Sequence, residues 1–165
     1  MAVGYWCLPC AQDATRFREI ITTLAKAQDA PVFEPHMSLG TLANAATDLI
    51  GVRRALTDLV LMPAAIDGTD AFTKSLFVRL APSPGLSRAR SLLETDPAFL
   101  ARRAFDPHIS LCYGTPPAGA ADMHSVCSLL SVPVRFDRLA AVEISLPVET
   151  YDDVRAFTTV DIFCL

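Results

Sequence analysis

Phe33-Glu34-Pro35-His36-Met37-Ser38-Leu39 returns later in the chain as Phe105-Asp106-Pro107-His108-Ile109-Ser110-Leu111. The two copies differ only in exchanging one carboxylate for another and one apolar residue for another. Side chains alternate between the faces of an extended strand, so His36 and Ser38 point one way while Met37 and Leu39 point the other. The same alternation separates His108 and Ser110 from Ile109 and Leu111. Each copy therefore reads as a strand with an apolar back on a core and a His/Ser pair turned elsewhere. Two such strands invite one site with two imidazoles and two hydroxyls.

Working outward, residues 3–9 read as a short buried strand, and 12–28 as a helix carrying Phe17, Ile20, Ile21 and Leu24 at helical spacing. The first repeat strand runs through about Leu42. A second amphipathic helix is predicted over 46–60, with Leu49, Val52, Leu56 and Leu59 on one side. A hairpin follows, with arms at 63–67 and 75–80 and its turn at Asp67-Gly68. A third helix starts at about Leu86 with Leu92 and Leu93 inward. The second repeat strand ends at Tyr113, and Gly114, Pro116, Pro117 and Gly119 form a loop. A fourth helix carries Met123, Val126, Cys127 and Leu130. Two strands close the chain at 134–146 and 154–164, the last with Val154, Ala156, Val160 and Ile162 alternating. This order predicts one α+β domain over residues 1–165, bilobal and pseudo-symmetric, with mainly antiparallel sheets and a central cleft.

At 165 residues and 52% apolar the chain can bury a sizeable core. A net charge of −4 argues against gripping long nucleic acid through its phosphates, while a few placed donors suffice for a small phosphorylated ligand. Neither a signal peptide nor a membrane helix is expected. The five cysteines, Cys7, Cys10, Cys112, Cys127 and Cys164, fit buried free thiols and a cytoplasmic protein.

A lone histidine in an apolar strand is usually a packed core residue. Two in matching heptads, each followed by a hydroxyl on the same face, call for another reason. Near neutral pH one imidazole can take a proton from water while the other gives one to a leaving oxygen, which is what acid–base cleavage of a phosphodiester needs. Ser38 and Ser110 can bond the non-bridging oxygens. The scheme needs neither metal nor cofactor, and none is expected.

The twin His-x-Ser resembles the 2H phosphoesterase superfamily, named for paired His-x-Thr/Ser motifs. Among its members the chain is most similar to the small cyclic phosphodiesterases of plants and yeast. Tyr5-Trp6-Cys7-Leu8-Pro9 is similar to the Trp-x-Leu-Pro first strand of the plant enzymes, Phe33-Glu34-Pro35-His36 to their Phe-x-Pro-His, and residues 107–113 to their Pro-His-x-Ser-Leu-x-Tyr. Phe72 and residues 76–80 fall where that family has an aromatic-rich strand before an apolar one. The resemblance implies hydrolysis of ADP-ribose 1″,2″-cyclic phosphate or of nucleoside 2′,3′-cyclic phosphates to the 2′-phosphate. It implies His108 as the base and His36 as the acid, with Trp6, Phe72 and Tyr113 lining the pocket. Ser38 stands where the plant enzymes have Thr, and their disulfide has no evident counterpart.

Other readings stay open. Cys7-Leu8-Pro9-Cys10 has the form of a thioredoxin-like redox motif, although its first cysteine falls inside a strand rather than at a helix start. Glu34 and Asp106 could join the histidines around a divalent ion, or be solvated residues at strand entries. The family alternative is an enzyme acting on RNA ends or on 2′–5′ or cyclic oligonucleotides, and a non-catalytic nucleotide-binding module is a further one. His124 is expected on a helix surface. Lys74 and Arg102–Arg103 could lend charge to the cleft, with a solvated face the plainer use of each. The expected partner is a small phosphorylated nucleotide bound by a monomer, without stable nucleic-acid or membrane association.

Overall fold

Every strand pairing in the computed structural model, which describes residues 1–100, 104–115 and 123–165, is antiparallel. Arg102–Arg103 and the expected loop through Pro116, Pro117 and Gly119 lie outside the described residues. The described elements are β1 (Ala2–Pro9), α1 (Ala11–Gln28), β2 (Met37–Leu42), α2 (Ile50–Ala55), β3 (Val60–Leu61), β4 (Pro63–Asp67), β5 (Leu76–Leu80), α3 (Pro84–Glu94), β6 (His108–Cys112), α4 (Met123–Ser128), β7 (Val134–Ile144), α5 (Tyr151–Arg155) and β8 (Thr158–Cys164). One sheet runs β2-β1-β7, with β3 and β8 both pairing to β7; the other runs β4-β5-β6.

The two lobes repeat one plan. β1–α1–β2 and β5–α3–β6 are each strand, helix, antiparallel strand. The register places Trp6 opposite Ser38 in the first and Phe77 opposite Ser110 in the second. α1 packs across β6 and α3 against β2, so each helix crosses to the other lobe. Met37, Leu39, Ile109 and Leu111 all enter one core with Phe17, Ile21 and Leu24 of α1. Each of those side chains contributes about 2 kcal/mol by leaving water. The apolar backs of both motifs are thus buried in common, which fixes the opposite faces side by side. The fold is the bilobal α+β architecture with mainly antiparallel sheets that the element order predicts.

β1 is buried on both faces. Tyr5 and Cys7 join the main core, whereas Ala2, Trp6 and Leu8 pack with Ala140, Val142 and Ile144 of β7.

Several elements depart from expectation. The helix predicted over 46–60 is reduced to α2, with Asp48 Oδ1 accepting from Ile50 N (2.7 Å) at its start and the residues before it anchored to distant groups. Ala46 N donates to the Tyr5 hydroxyl (2.7 Å) and Thr47 N to Asp96 Oδ2 (3.0 Å). Asp58 at its far end adopts a left-handed conformation, φ 55°. α3 starts earlier than expected, at Pro84, with Ser83 Oγ accepting from Leu86 N. It buries Leu86, Ala89 and Leu93 but leaves Leu92 exposed. The final strand does not begin at Val154. Thr150 and Asp153 close a capping box that makes Val154 a helical residue, and β8 starts after it at the sheet margin with Val160 and Ile162 exposed. The hairpin at 63–80 forms, but its connection is longer than Asp67-Gly68 and carries a 3-10 turn at Phe72–Lys74. All five cysteines are free; Cys7 and Cys112 are buried as expected, while Cys127 and Cys164 are exposed.

Candidate active site

Strands β2 and β6 present their polar faces to a cleft of about 840 Å³. His36, Ser38, His108, Ser110, Trp6, Phe72 and Tyr113 all line it. The sequence-predicted residues therefore come together in one place, from β1, β2, β6 and the turn after β4.

The histidines are held alike. His36 Nδ1 lies 2.7 Å from Glu34 O, and His108 Nδ1 lies 2.6 Å from Asp106 O. A carbonyl only accepts, so each Nδ1 carries the hydrogen and each Nε2 is left for the cleft. The residue two before each histidine thus matters through its backbone carbonyl. No side-chain pattern announces such a contact, and the sequence reading missed it.

Their surroundings differ. His36 is buried and stacked on Trp6, with ring centroids 3.7 Å apart and planes 9° from parallel. Burial pushes its pKa down to about 4; the charge of His108 adds to this and the Glu34 carbonyl opposes it. His108 is partly exposed and meets the Phe77 ring edge-on at 5.0 Å. Burial again lowers its pKa, with Lys74 and Arg79 adding and the Asp106 carbonyl and carboxylate opposing.

The serines differ as well. Ser38 is exposed, whereas Ser110 is buried and donates to Thr73 O at 2.9 Å. Tyr113 is buried and stacked on Phe33 at 4.1 Å; burial raises its pKa. Phe72 tilts against both Tyr113 and Tyr151.

The carboxylates of Glu34 and Asp106 are both bound to cations. Glu34 pairs with Arg18 at the surface. Asp106 binds Lys74 (2.5 Å) and Arg79 (3.2 Å), and despite partial burial these cations hold its carboxyl below the usual range. Among the described residues no three His, Cys, Asp or Glu side chains converge as ion ligands. Cys7 is buried with its thiol pushed up to about 12, the opposite of what a redox nucleophile needs. Lys74, expected on a solvated face, stands in the cleft wall instead. Arg90, which the sequence reading passed over, also reaches the wall; it donates to Leu39 O (2.6 Å) and lies over the rings of Phe99 and Phe105. His124 is exposed on α4, away from the cleft lining.

No protein-family model and no curated protein matches the sequence. Solved structures do. A phosphoesterase crystal structure aligns with a TM-score of 0.55 at 14% identity, covering 99% of this chain and 97% of that one. E. coli LigT in its apo form aligns at 0.51 and 14%, covering 99% and 96%. The same protein complexed with NADP+ aligns at 0.52 and 15%, again over 99% and 96%. The likeness runs the length of both chains at identities that speak for architecture alone: the chain has the 2H phosphoesterase fold.

Proposed function

We propose that the protein is a phosphoesterase that hydrolyses small cyclic phosphates, ADP-ribose 1″,2″-cyclic phosphate or nucleoside 2′,3′-cyclic phosphates, by paired-histidine acid–base catalysis. The observation that carries this reading is the presence in one cleft of two imidazoles with Nδ1 anchored on backbone carbonyls and Nε2 left open. One Nε2 takes a proton as water attacks phosphorus. The other protonates the ring oxygen as its bond to phosphorus breaks, leaving a monoester. Ser38, whose hydroxyl is open to the cleft, donates to a non-bridging oxygen. Ser110 is the second proposed phosphate contact, and to donate it must turn its hydrogen away from Thr73 O.

The cleft volume suits a nucleotide-sized ligand. LigT, which shares the fold, has been crystallised with NADP+ and with phosphate. The aromatic wall of Trp6, Phe72 and Tyr113 offers surfaces for a base or ribose. The resemblance casts His108 as base and His36 as acid. The electrostatics of the free site favour the reverse, since His36 is buried against Trp6 and held neutral, the state a base requires.

The test is incubation with ADP-ribose 1″,2″-cyclic phosphate and the four nucleoside 2′,3′-cyclic phosphates, with products identified by phosphorus NMR. Turnover is expected, and His36→Ala and His108→Ala are each expected to lower kcat by about 10³-fold or more. Undiminished turnover in both variants would remove the paired-histidine mechanism, and binding without turnover of any cyclic phosphate would leave a binding module as the better reading. Inhibition by a tRNA-length substrate more strongly than by a nucleotide would point to RNA ends. Both imidazoles sit below 6.5 in the free protein, so kcat/KM is expected to be bell-shaped with its maximum on the acid side of neutrality. The limb lost in each single-histidine variant assigns base and acid.

A further inference from the structure

We propose that Lys74 contacts the substrate phosphate, its ammonium supplying on the His108 side of the cleft the donor that Ser38 supplies on the His36 side. This rests on the phosphoesterase reading of the site and extends it to a residue outside both motifs.

The two motifs look equivalent in sequence and are not equivalent in space. Ser110 has a single hydrogen, directed at Thr73 O 2.9 Å away. The Ser38 hydroxyl stands exposed at the cleft. Of the two motif serines, only Ser38 therefore offers an anion between the imidazoles a ready hydroxyl.

Lys74 follows Thr73 in the same 3-10 turn and lines the same cleft. An ammonium has three N–H groups. One points to Asp106 Oδ2 at 2.5 Å, and the face of the Phe77 ring lies 4.6 Å from Nζ. Among the described residues Nζ has no further hydrogen-bond partner, and its side chain is part of the cleft wall. Asp106 and Phe77 hold the nitrogen beside His108, because the Asp106 carbonyl and the Phe77 ring edge also touch that imidazole. Asp106 is shared with Arg79, which also binds Asp67, so the carboxylate does not depend on Lys74 alone. Among the described residues the first motif has no such cation: its Glu34 pairs with Arg18, which is not part of the cleft wall. Arg90 does reach the wall, but its guanidinium is engaged by Leu39 O and Glu94. The asymmetry makes the site directional, with an aromatic ring stacked on His36 and a cation held beside His108.

Inorganic phosphate is the probe. In protein carrying 15N-lysine, the Lys74 Nζ resonance is expected to shift on phosphate titration, with Lys26, the other lysine of the chain, as internal control. Lys74→Met is expected to weaken phosphate binding about tenfold and to lower kcat/KM for a cyclic phosphate about 10²-fold, with Lys74→Arg recovering most of both. A Nζ resonance indifferent to phosphate, or phosphate affinity unchanged in Lys74→Met, overturns the proposal. The wild-type resonance answers the question even if the methionine variant fails to fold. A Lys74 that responds to phosphate in a protein that opens no cyclic phosphate keeps this inference and removes the hydrolase reading. Full turnover in Lys74→Met does the reverse.

Discussion

Trp6 does more than line a pocket. Its indole lies flat on His36 and, with the rest of the burial, keeps that ring neutral at physiological pH. Trp6→Ala is expected to let water reach the imidazole and raise the His36 pKa from about 4 toward 6.5, readable as a shift of its Cε1 proton titration. Removing a nearly buried indole should also cost about 3 kcal/mol of stability in urea unfolding. Trp6→Phe, which restores a flat apolar face, should recover most of both. At this scale the sequence was informative about residue type. Alternation along an extended strand put His36, Ser38, His108 and Ser110 on the non-core face. It was silent on the carbonyls of Glu34 and Asp106, because a backbone contact leaves no mark in side-chain chemistry.

Short elements are where pattern and packing part company. Thr150 and Asp153 form a reciprocal capping box that starts α5, and α5 carries Tyr151 into contact with Gln28, Phe72 and the carbonyl of Tyr113. Gly114 accommodates this approach: its φ is +76°, and a β-carbon there would lie 2.7 Å from the Tyr151 hydroxyl. Thr150→Ala is expected to cost about 1 kcal/mol and to speed amide exchange in residues 151–155 without unfolding the sheet. The T-x-x-D signature was present in the sequence, but the spacing of Val154, Ala156, Val160 and Ile162 mimics a strand that runs through it. α2 was overextended for a different reason. Leu49, Val52, Leu56 and Leu59 keep helical spacing, yet residues 46 and 47 lie outside the helix, bonded to Tyr5 and Asp96, which are distant in sequence.

For the whole molecule, the neutral His36 links stability to pH. The unfolded chain takes up a proton near 6.5 that the fold refuses until about 4. Stability from this group is therefore complete above about pH 6.5 and falls as pH drops toward 4, by about 3 kcal/mol. Urea midpoints of wild type and His36→Gln across that window check it, with the variant expected to show the shallower loss. The net charge of −4 is not spread evenly, since the cleft wall sets Lys74 and Arg90 against Asp106 and Glu149 around the two imidazoles.

The sequence by itself determined the duplicated motif, the faces its side chains take and the two-lobed antiparallel plan, because those follow from strand periodicity and from the order of apolar segments. Only the tertiary structure decided that the copies are unequal. Trp6 against His36, Thr73 against Ser110 and Lys74 against Asp106 are contacts between segments far apart along the chain, and such contacts set burial, hydrogen-bond direction and charge.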